Sequence, residues 1–448
     1  MKYLLVDVGS TYTKLNLIDT EMCKILASAW SYTTVETDVN EGFNKAYKKL
    51  RQISSEKYDR FLGASSASGG LKVVVVGFSK NLTTYALKAA SLSSGARILR
   101  EYYYELTDEK LDEIEKYKPD ILLLCGGTDG GNSSNIIFNA KKIAKRNFPF
   151  PLLVCGNSYA NDEIREIFKD SKMNLSFTEN VMPNVNVINY KPLREVIGKI
   201  FIETITRAKG ILSLSQKCEI FLPTPIAVQK AVTNYGKFKN AEIIAIDIGG
   251  ATTDVYSLGV SYKGKENIIP PEIDEPFEKR TVEGDMGMRY SATALFESLG
   301  PEIFRDYGFP DALERCQKRF NHPDFIAESR DEEKFDELLG FLAAKTALSR
   351  HIGKLKKIPT KTRYIYEQSG KDLSEVKEFI GTGGVIINSP NPKFIFDSLK
   401  ALDDSYLKVK NPKYLLDKRY ILSSAGLISE FEKENSYRII SKYLQEVK

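Results

Sequence analysis

Met1-Lys2-Tyr3-Leu4-Leu5-Val6-Asp7-Val8-Gly9-Ser10-Thr11-Tyr12-Thr13-Lys14 opens the chain, and the pattern of this stretch decides the fold. A short apolar run is closed by Asp7, a polar turn containing Gly9 follows, and Leu15, Leu17 and Ile18 resume the apolar pattern, so two strands joined by a tight turn are predicted. The pattern returns at Glu242-Ile243-Ile244-Ala245-Ile246-Asp247-Ile248-Gly249-Gly250-Ala251-Thr252-Thr253-Asp254, which runs on into Val255-Tyr256-Ser257-Leu258. Between the two copies, predicted strands at 73–76, 96–99, 121–124 and 152–154 alternate with predicted helices at 81–94, 108–117, 135–146 and 161–170. Such alternation belongs to the α/β class with a largely parallel sheet. Helical patterns follow at 190–209 and 225–234, and a charged, helix-rich stretch runs over 301–357. Each hairpin copy also has a later strand-to-glycine junction, Leu124-Cys125-Gly126-Gly127 after the first and Ile380-Gly381-Thr382-Gly383-Gly384 after the second. The simplest reading is a duplicated α/β lobe.

Composition bounds the rest. A chain of 448 residues has length for two or three domains and a substantial core. Hydrophobic residues at 42% and charged residues at 27% are ordinary for a folded globular protein. The 64 basic and 59 acidic side chains leave only +5, which gives no reason to expect a nucleic-acid partner. With two histidines, His322 and His351, a His-rich metal site is excluded. Five scattered cysteines without any C-x-x-C disfavour a zinc knuckle or a disulfide framework and suit a reducing cytoplasm. The apolar run before Asp7 is too short for a signal-peptide core, and no stretch reaches the ~18 apolar residues of a spanning helix. A soluble, cytoplasmic protein without a membrane partner is expected.

The turns are where chemistry can sit. Gly9, Gly249 and Gly250 let the backbone turn and let an anion approach its amides, and Ser10, Thr11, Thr13, Thr252 and Thr253 add hydroxyl donors. Asp7 and Asp247 are the candidate carboxylates for Mg²⁺. Lys14 either neutralises phosphate charge or lies on a solvated strand face, and Asp254 either orients a water or satisfies turn amides. Competing nucleotide motifs are absent: there is no G-x-x-x-x-G-K-[ST], and Ile386 stands where a G-x-G-x-x-G begun at Gly381 needs its third glycine. The Ser/Gly-rich segment 63–70 reads by composition as a loop rather than an anion cradle, Cys125 as a small buried side chain, and Tyr102-Tyr103-Tyr104 as strand residues. His351 is expected on an exposed or partly buried helix face and His322 in a turn, neither of them catalytic.

Asp7 to Lys14 resembles the phosphate-one motif of the acetate and sugar kinase, heat-shock chaperone and actin superfamily. Asp247 to Asp254, with Gly249, Gly250 and Ala251, is similar to phosphate-two, and Gly381-Thr382-Gly383-Gly384 to the adenosine motif. Pro223-Thr224-Pro225-Ile226-Ala227-Val228 resembles the first connecting helix of the chaperones, and Glu283-Gly284-Asp285-Met286-Gly287 their acidic glycine segment. More narrowly, 63–72, 279–289 and 420–427 resemble the accessory proteins encoded beside cobalamin-dependent glutamate mutase, often called MutL or GlmL. The mismatch-repair ATPase that shares the name by accident has a different fold.

The resemblance implies an actin-like ATPase fold of two ribonuclease-H-like lobes with a nucleotide cleft between them. It implies ATP and Mg²⁺ as ligands, Asp7, Asp247, Asp254 and Lys14 as the catalytic group, and Glu283, Gly284, Asp285, Gly381, Thr382, Gly383 and Gly384 beside the nucleotide. The expected organisation is a first lobe over 1–205 with an inserted α/β module near 80–190, a connecting segment and helix over 206–240, a second lobe over 241–430 and a terminal helix over 431–448. The implied activity is ATP hydrolysis by a chaperone-like reactivase whose partners are the subunits of an adenosylcobalamin-dependent mutase. A small-molecule kinase acting on a sugar or carboxylate, an activator of a radical dehydratase and a filament-forming relative stay open, although scattered cysteines speak against the iron–sulfur cluster of the dehydratase activator. The oligomeric state is open, with a dimer one option.

Overall fold

A computed structural model describes residues 1–34, 37–66, 71–94, 96–205, 209–361 and 363–447; positions 67–70 of the Ser/Gly-rich segment lie outside them. The chain divides into two units, Met1–Ser68 with Thr206–Lys448, and Gly69–Ile205. In the first, β1 (Lys2–Val8), β2 (Tyr12–Asp19) and β3 (Lys24–Tyr32) form an antiparallel meander, and β4 (Arg60–Ser65) lies parallel to β1 on its other side. Between β3 and β4, α1 (Val39–Ile53) is capped by the Asp38 carboxylate, which accepts from the Asn40 amide at 2.8 Å. Its buried face, Val39, Phe43, Ala46 and Leu50, has helical spacing and packs on β2 and β3.

The Gly69–Ile205 unit is an alternation of β5 (Lys72–Gly77), α2 (Thr83–Ser93), β6 (Arg97–Tyr103), α3 (Asp108–Tyr117), β7 (Ile121–Leu124), α4 (Ser134–Arg146), β8 (Leu152–Val154), α5 (Asn161–Ile167), β9 (Leu175–Phe177) and α6 (Tyr190–Ile205). All its strand pairs are parallel, in the order β6-β5-β7-β8-β9. Val73, Val74, Val75 and Val76 are all buried, as a parallel strand covered on both faces requires.

The chain returns to the first unit with α7 (Ile211–Ser215), β10 (Ile220–Pro223) and α8 (Thr224–Lys239). The 206–240 segment is therefore more than a connection: β10 pairs parallel with β4 and completes the first sheet, β3-β2-β1-β4-β10. Four residues with a polar Cys218-Glu219 approach carry too little pattern to read as a strand. Next come β11 (Ile243–Ile248), β12 (Thr253–Leu258), β13 (Ile268–Ile269), β14 (Glu278–Glu283), α9 (Ala292–Leu299), α10 (Pro301–Asp306), α11 (Ala312–Asn321) and α12 (Arg330–His351). The last part holds β15 (Lys354–Pro359), β16 (Tyr364–Ser369), β17 (Glu378–Thr382), α13 (Gly384–Asn388), α14 (Pro392–Phe396), β18 (Lys413–Leu416), α15 (Ile421–Ile428), α16 (Lys433–Tyr443) and β19 (Gln445–Glu446).

The second large sheet, β14-β12-β11-β17-β18-β19, repeats the plan of the first: a central strand with an antiparallel meander on one side and two parallel strands on the other. One expected equivalence is corrected. The counterpart of β17 beside the first hairpin is β4, whereas Leu124-Cys125-Gly126-Gly127 belongs to the Gly69–Ile205 unit. Any buried parallel strand ending in glycine gives the same signal, so the junction could not tell the sheets apart.

Between the two sheets of the first unit lie α8, α15 and α16. Val228, Val232 and Tyr235 of α8 share a core with Ile243, Ala245 and Tyr256, while Ala227, Leu427 and Ile439 share one with Tyr3, Leu5 and Leu62. The helices α8 and α15 cross so closely that a Cβ on Gly426 would lie 1.8 Å from the Ala227 carbonyl oxygen. Among the described residues no helix is long and apolar enough to cross a membrane.

Candidate active site

Both hairpin turns close by the same bond. The Gly9 amide donates to the Tyr12 carbonyl at 3.0 Å, and the Gly249 amide to the Thr252 carbonyl at 2.9 Å. A Cβ at Gly9 would sit 2.8 Å from the Tyr12 oxygen, so that turn requires glycine. The turns face one another: a Cβ on Gly250 would lie 3.3 Å from Thr11 Oγ1. The segment after β14 braces the second turn, with the Met288 and Arg289 amides donating to the Gly249 and Gly250 carbonyls at 3.0 and 2.8 Å.

The strand register puts carboxylates at this place. Asp7 faces Lys14 across the first hairpin, and Asp247 faces Asp254 across the second. Asp7 accepts from Thr224 Oγ1 at the start of α8 (2.6 Å) and from Ser423 Oγ in α15 (3.2 Å). Asp254 is tied by the buried Arg280 guanidinium at 2.6 Å. Asp247 retains some solvent exposure but is closely enclosed by protein. Burial first, then the Asp254 carboxylate, pushes it up to about 7; Lys14 pulls the other way, and Asp7 and Asp417 add smaller upward pushes.

A further carboxylate, Asp417 at the end of β18, caps α15 by accepting from the Ile421 and Leu422 amides at 2.7 and 3.1 Å, and accepts from Thr382 Oγ1 at 3.2 Å. Burial raises it to about 6, against these bonds and the pull of Lys14. The Lys14 ammonium rests 3.5 Å from the centre of the partly buried Tyr420 ring and acts on both Asp247 and Asp417.

The expected site residues divide into those at the facing turns and those turned away from them. Ser10, Thr11, Ala251 and Thr252 are part-exposed at the turns, and Thr252 donates to Asp254 at 3.2 Å. Thr13 and Thr253 are buried; Thr13 Oγ1 pairs with Thr33 Oγ1 at 2.9 Å and Thr253 donates to the Met286 carbonyl, so neither hydroxyl is at a ligand's disposal. Gly381 is packed against Phe396 and Gly383 against Ile248, with Gly384 exposed, its Cβ position 3.6 Å from the Tyr420 hydroxyl. Glu283 pairs with Arg350, Asp285 stands 3.9 Å from the same guanidinium, and the Gly284 carbonyl accepts from Ser291. His351 corrects the expectation of an exposed or partly buried place. It is fully buried at the end of α12 between Ser257 and Thr281, each 2.8 Å away, and burial followed by the Lys279 and Lys371 charges holds it neutral, its pKa far below the usual value.

Asp417 was not singled out from the sequence, although Lys413-Tyr414-Leu415-Leu416-Asp417 is the same apolar-run-to-aspartate pattern that marks Asp7. Thr224 and Ser423 lie within motifs that were noticed, but their bonds to Asp7 span far too much sequence to be read from spacing. Among the described residues no cluster of three or more His, Cys, Asp or Glu side chains is placed to hold a metal ion. The crowded carboxylates nevertheless form a hard-oxygen environment whose mutual repulsion a cation would relieve. That fits Mg²⁺, which takes one or two carboxylates plus the oxygens of a phosphate ligand.

A model of the MutL protein family matches residues 3–444. The chain belongs to the MutL family. Protein MutL of Clostridium tetanomorphum is 43% identical over 459 residues, covering 99% of this chain and 99% of that relative. Among solved structures, this MutL-family chain is similar at 12% identity to a gluconate kinase from Lactobacillus acidophilus (100% of this chain, 93% of that one, TM-score 0.36). At 8% identity it is similar to component A of the (R)-2-hydroxyglutaryl-CoA dehydratase of Acidaminococcus fermentans (98% and 97%, TM-score 0.32). These scores are too low to assign chemistry.

Proposed function

We propose that this MutL-family protein binds ATP with Mg²⁺ at the two facing hairpin turns, hydrolyses it, and uses the cycle to maintain or reactivate an adenosylcobalamin-dependent mutase such as glutamate mutase. The observation that carries this reading is the pair of glycine turns, closed by the same bond and brought face to face, each beginning at a strand-end aspartate. On this reading the two matching sheets are the ribonuclease-H-like lobes of an actin-like ATPase, and the recess between them is the nucleotide cleft. The cytoplasm is the expected compartment.

The turn amides and the Ser10, Thr11 and Thr252 hydroxyls would hold phosphate oxygens. Asp7 and Asp247 would hold Mg²⁺, which when bound offsets phosphate charge. Lys14 supplies positive charge to the same place. Held ionised by Mg²⁺, the Asp247 carboxylate would orient a water whose oxygen bonds to the γ-phosphorus as the bond to the β–γ bridging oxygen breaks; the water's proton passes to a phosphate oxygen, and ADP and phosphate leave. Asp254, held by Arg280, sets the charge that Asp247 feels. Gly384 and Tyr420 offer an exposed backbone edge and a ring for the adenosine end. Because Asp7 accepts from both α8 and α15, a change in its ligands at hydrolysis would reach the crossing of those helices, a route from the site to lobe movement. The Gly69–Ile205 unit is the proposed surface for the mutase.

ATP hydrolysis by the purified protein, with and without an inactivated adenosylcobalamin-dependent mutase, tests this. The expected result is turnover that accompanies recovery of mutase activity. Turnover that requires a small metabolite and phosphorylates it would make the protein a kinase instead.

A further inference from the structure

We infer that the Gly69–Ile205 unit carries a ligand site of its own, at the carboxyl ends of β5 and β7, for a phosphate ester joined to an aromatic ring, the chemistry of a nucleotide. The inference does not rest on ATP hydrolysis at the hairpin turns. In the all-parallel sheet β6-β5-β7-β8-β9, the chain leaves β5 toward β6 on one side and continues through β7 and β8 on the other. The order therefore reverses between β5 and β7, and in open α/β sheets that point leaves a crevice outside the carboxyl ends of the strands where ligands bind.

The residues at this end suit an anion. The helices that start there, α2 and α4, have no acidic residue in the first turn and no cap from their N-cap side chains, Leu82 and Ser133; the Thr84 amide donates to the Ser79 carbonyl at 3.0 Å and the Asn135 amide to Asn132 Oδ1 at 3.3 Å. The other crossover helices differ: α3 has a Thr107 cap with Asp108 and Glu109, and α5 has Asp162 and Glu163 in its first turn. With no acidic residue in the first turn of α2 or α4, the N-terminal amides not engaged by Ser79 or Asn132 leave a positive end for a negative ligand.

An independent observation points the same way. Thr84, in the first turn of α2, is only 1% exposed, and its Oγ1 has no hydrogen-bond partner; nor does the buried Oγ of Ser79 in the β5–α2 loop. A buried hydroxyl without a partner is costly unless something else completes it. Thr84 Oγ1 lies over the end of β5, 2.3 Å from where a Cβ on Gly77 would be, so the glycine leaves room for the hydroxyl there. Across the crevice, Gly127 and Gly130 after β7 adopt φ of +72°, and the Tyr159 ring, 78% exposed, is 3.8 Å from the Cβ position of Gly130. Two unpaired hydroxyls and the positive ends of two helices would meet the phosphate; Tyr159 would stack on the ring. The Asp129 carboxylate of the same loop is engaged by the Ser158 amide and hydroxyl and by Asn180, at 2.8, 2.9 and 3.0 Å.

The test uses the full-length protein and three probes with this chemistry, adenosine monophosphate, flavin mononucleotide and cobalamin with its nucleotide tail, read by calorimetry and by hydrogen exchange of the loops after β5 and β7. One probe is expected to protect both loops. The Ser79→Ala/Thr84→Val double variant should bind it about tenfold or more weakly, since bonds to a charged group are lost. Its thermal midpoint should not fall, because the removed hydroxyls had no partner. Binding equal to that of the wild type, protection confined to 7–14 and 247–254, or no protection by any probe at millimolar concentration would each overturn the proposal. If the double variant proves less stable, Tyr159→Ala, an exposed change, must still weaken binding, and an unchanged affinity there overturns it too.

Discussion

The two hairpins of the first unit share a backbone and differ in charge. Each turn is locked by a glycine amide, and each first strand ends in aspartate, yet the residue facing that aspartate is Lys14 in one and Asp254 in the other. In the first hairpin Asp7 faces Lys14 across the strands and accepts from two hydroxyls, those of Thr224 and Ser423. In the second, Asp247 faces a second carboxylate that is itself held by Arg280, and burial first, then that carboxylate, raise its pKa to about 7. The same backbone closure recurs in both turns, and what sets them apart is the cross-strand partner, a lysine facing one aspartate and a carboxylate facing the other.

Removing the cation of the second hairpin should give the largest effect. Arg280→Met strands the buried Asp254 charge and is expected to cost about 3–5 kcal/mol of stability, measured by denaturant unfolding. Pairing it with Asp254→Asn should restore most of that loss. In the first hairpin, Lys14→Met should leave the fold intact, because the ammonium contacts a ring rather than a buried carboxylate partner, but reduce ATP turnover about 10²-fold, the usual cost of losing one charged group at a phosphoryl site. Ser423→Ala removes one hydroxyl bond to Asp7, which keeps Thr224; the expected loss is about 1 kcal/mol in thermal stability. A loss for Ser423→Ala as large as that for Arg280→Met would erase the distinction between the two hairpins.

The sequence made the hairpins legible because a glycine turn after a strand-end aspartate is a local event. The same locality misled at Thr13 and Thr253. Both are hydroxyls near the turn, but the strand alternation that begins there aims them inward, to Thr33 and to the Met286 carbonyl. His351 was misplaced because α12 is buried over much of its length, and no single helical stripe marked which side would be covered. Arg280 and Asp417 reach the site through β14 and β18, strands whose place in the sheet depends on pairing across long stretches of chain. Their roles became visible only with the sheet order.

The most direct measurement of the central claim is ATP hydrolysis against pH for the wild type and Asp247→Asn, with thermal unfolding at pH 8 without divalent cations alongside. A folded-state pKa of about 7, above the unfolded value near 4, means that the folded form holds this proton more tightly. Its contribution to stability is present in acid and fades as pH rises through 7. Wild-type turnover with Mg²⁺ should extend below pH 7, because a cation on Asp247 favours its ionised form. Asp247→Asn should lose turnover at every pH yet unfold at a higher temperature than the wild type at pH 8. Wild-type turnover in the Asp247→Asn protein, or no ATP hydrolysis by either, would contradict the account.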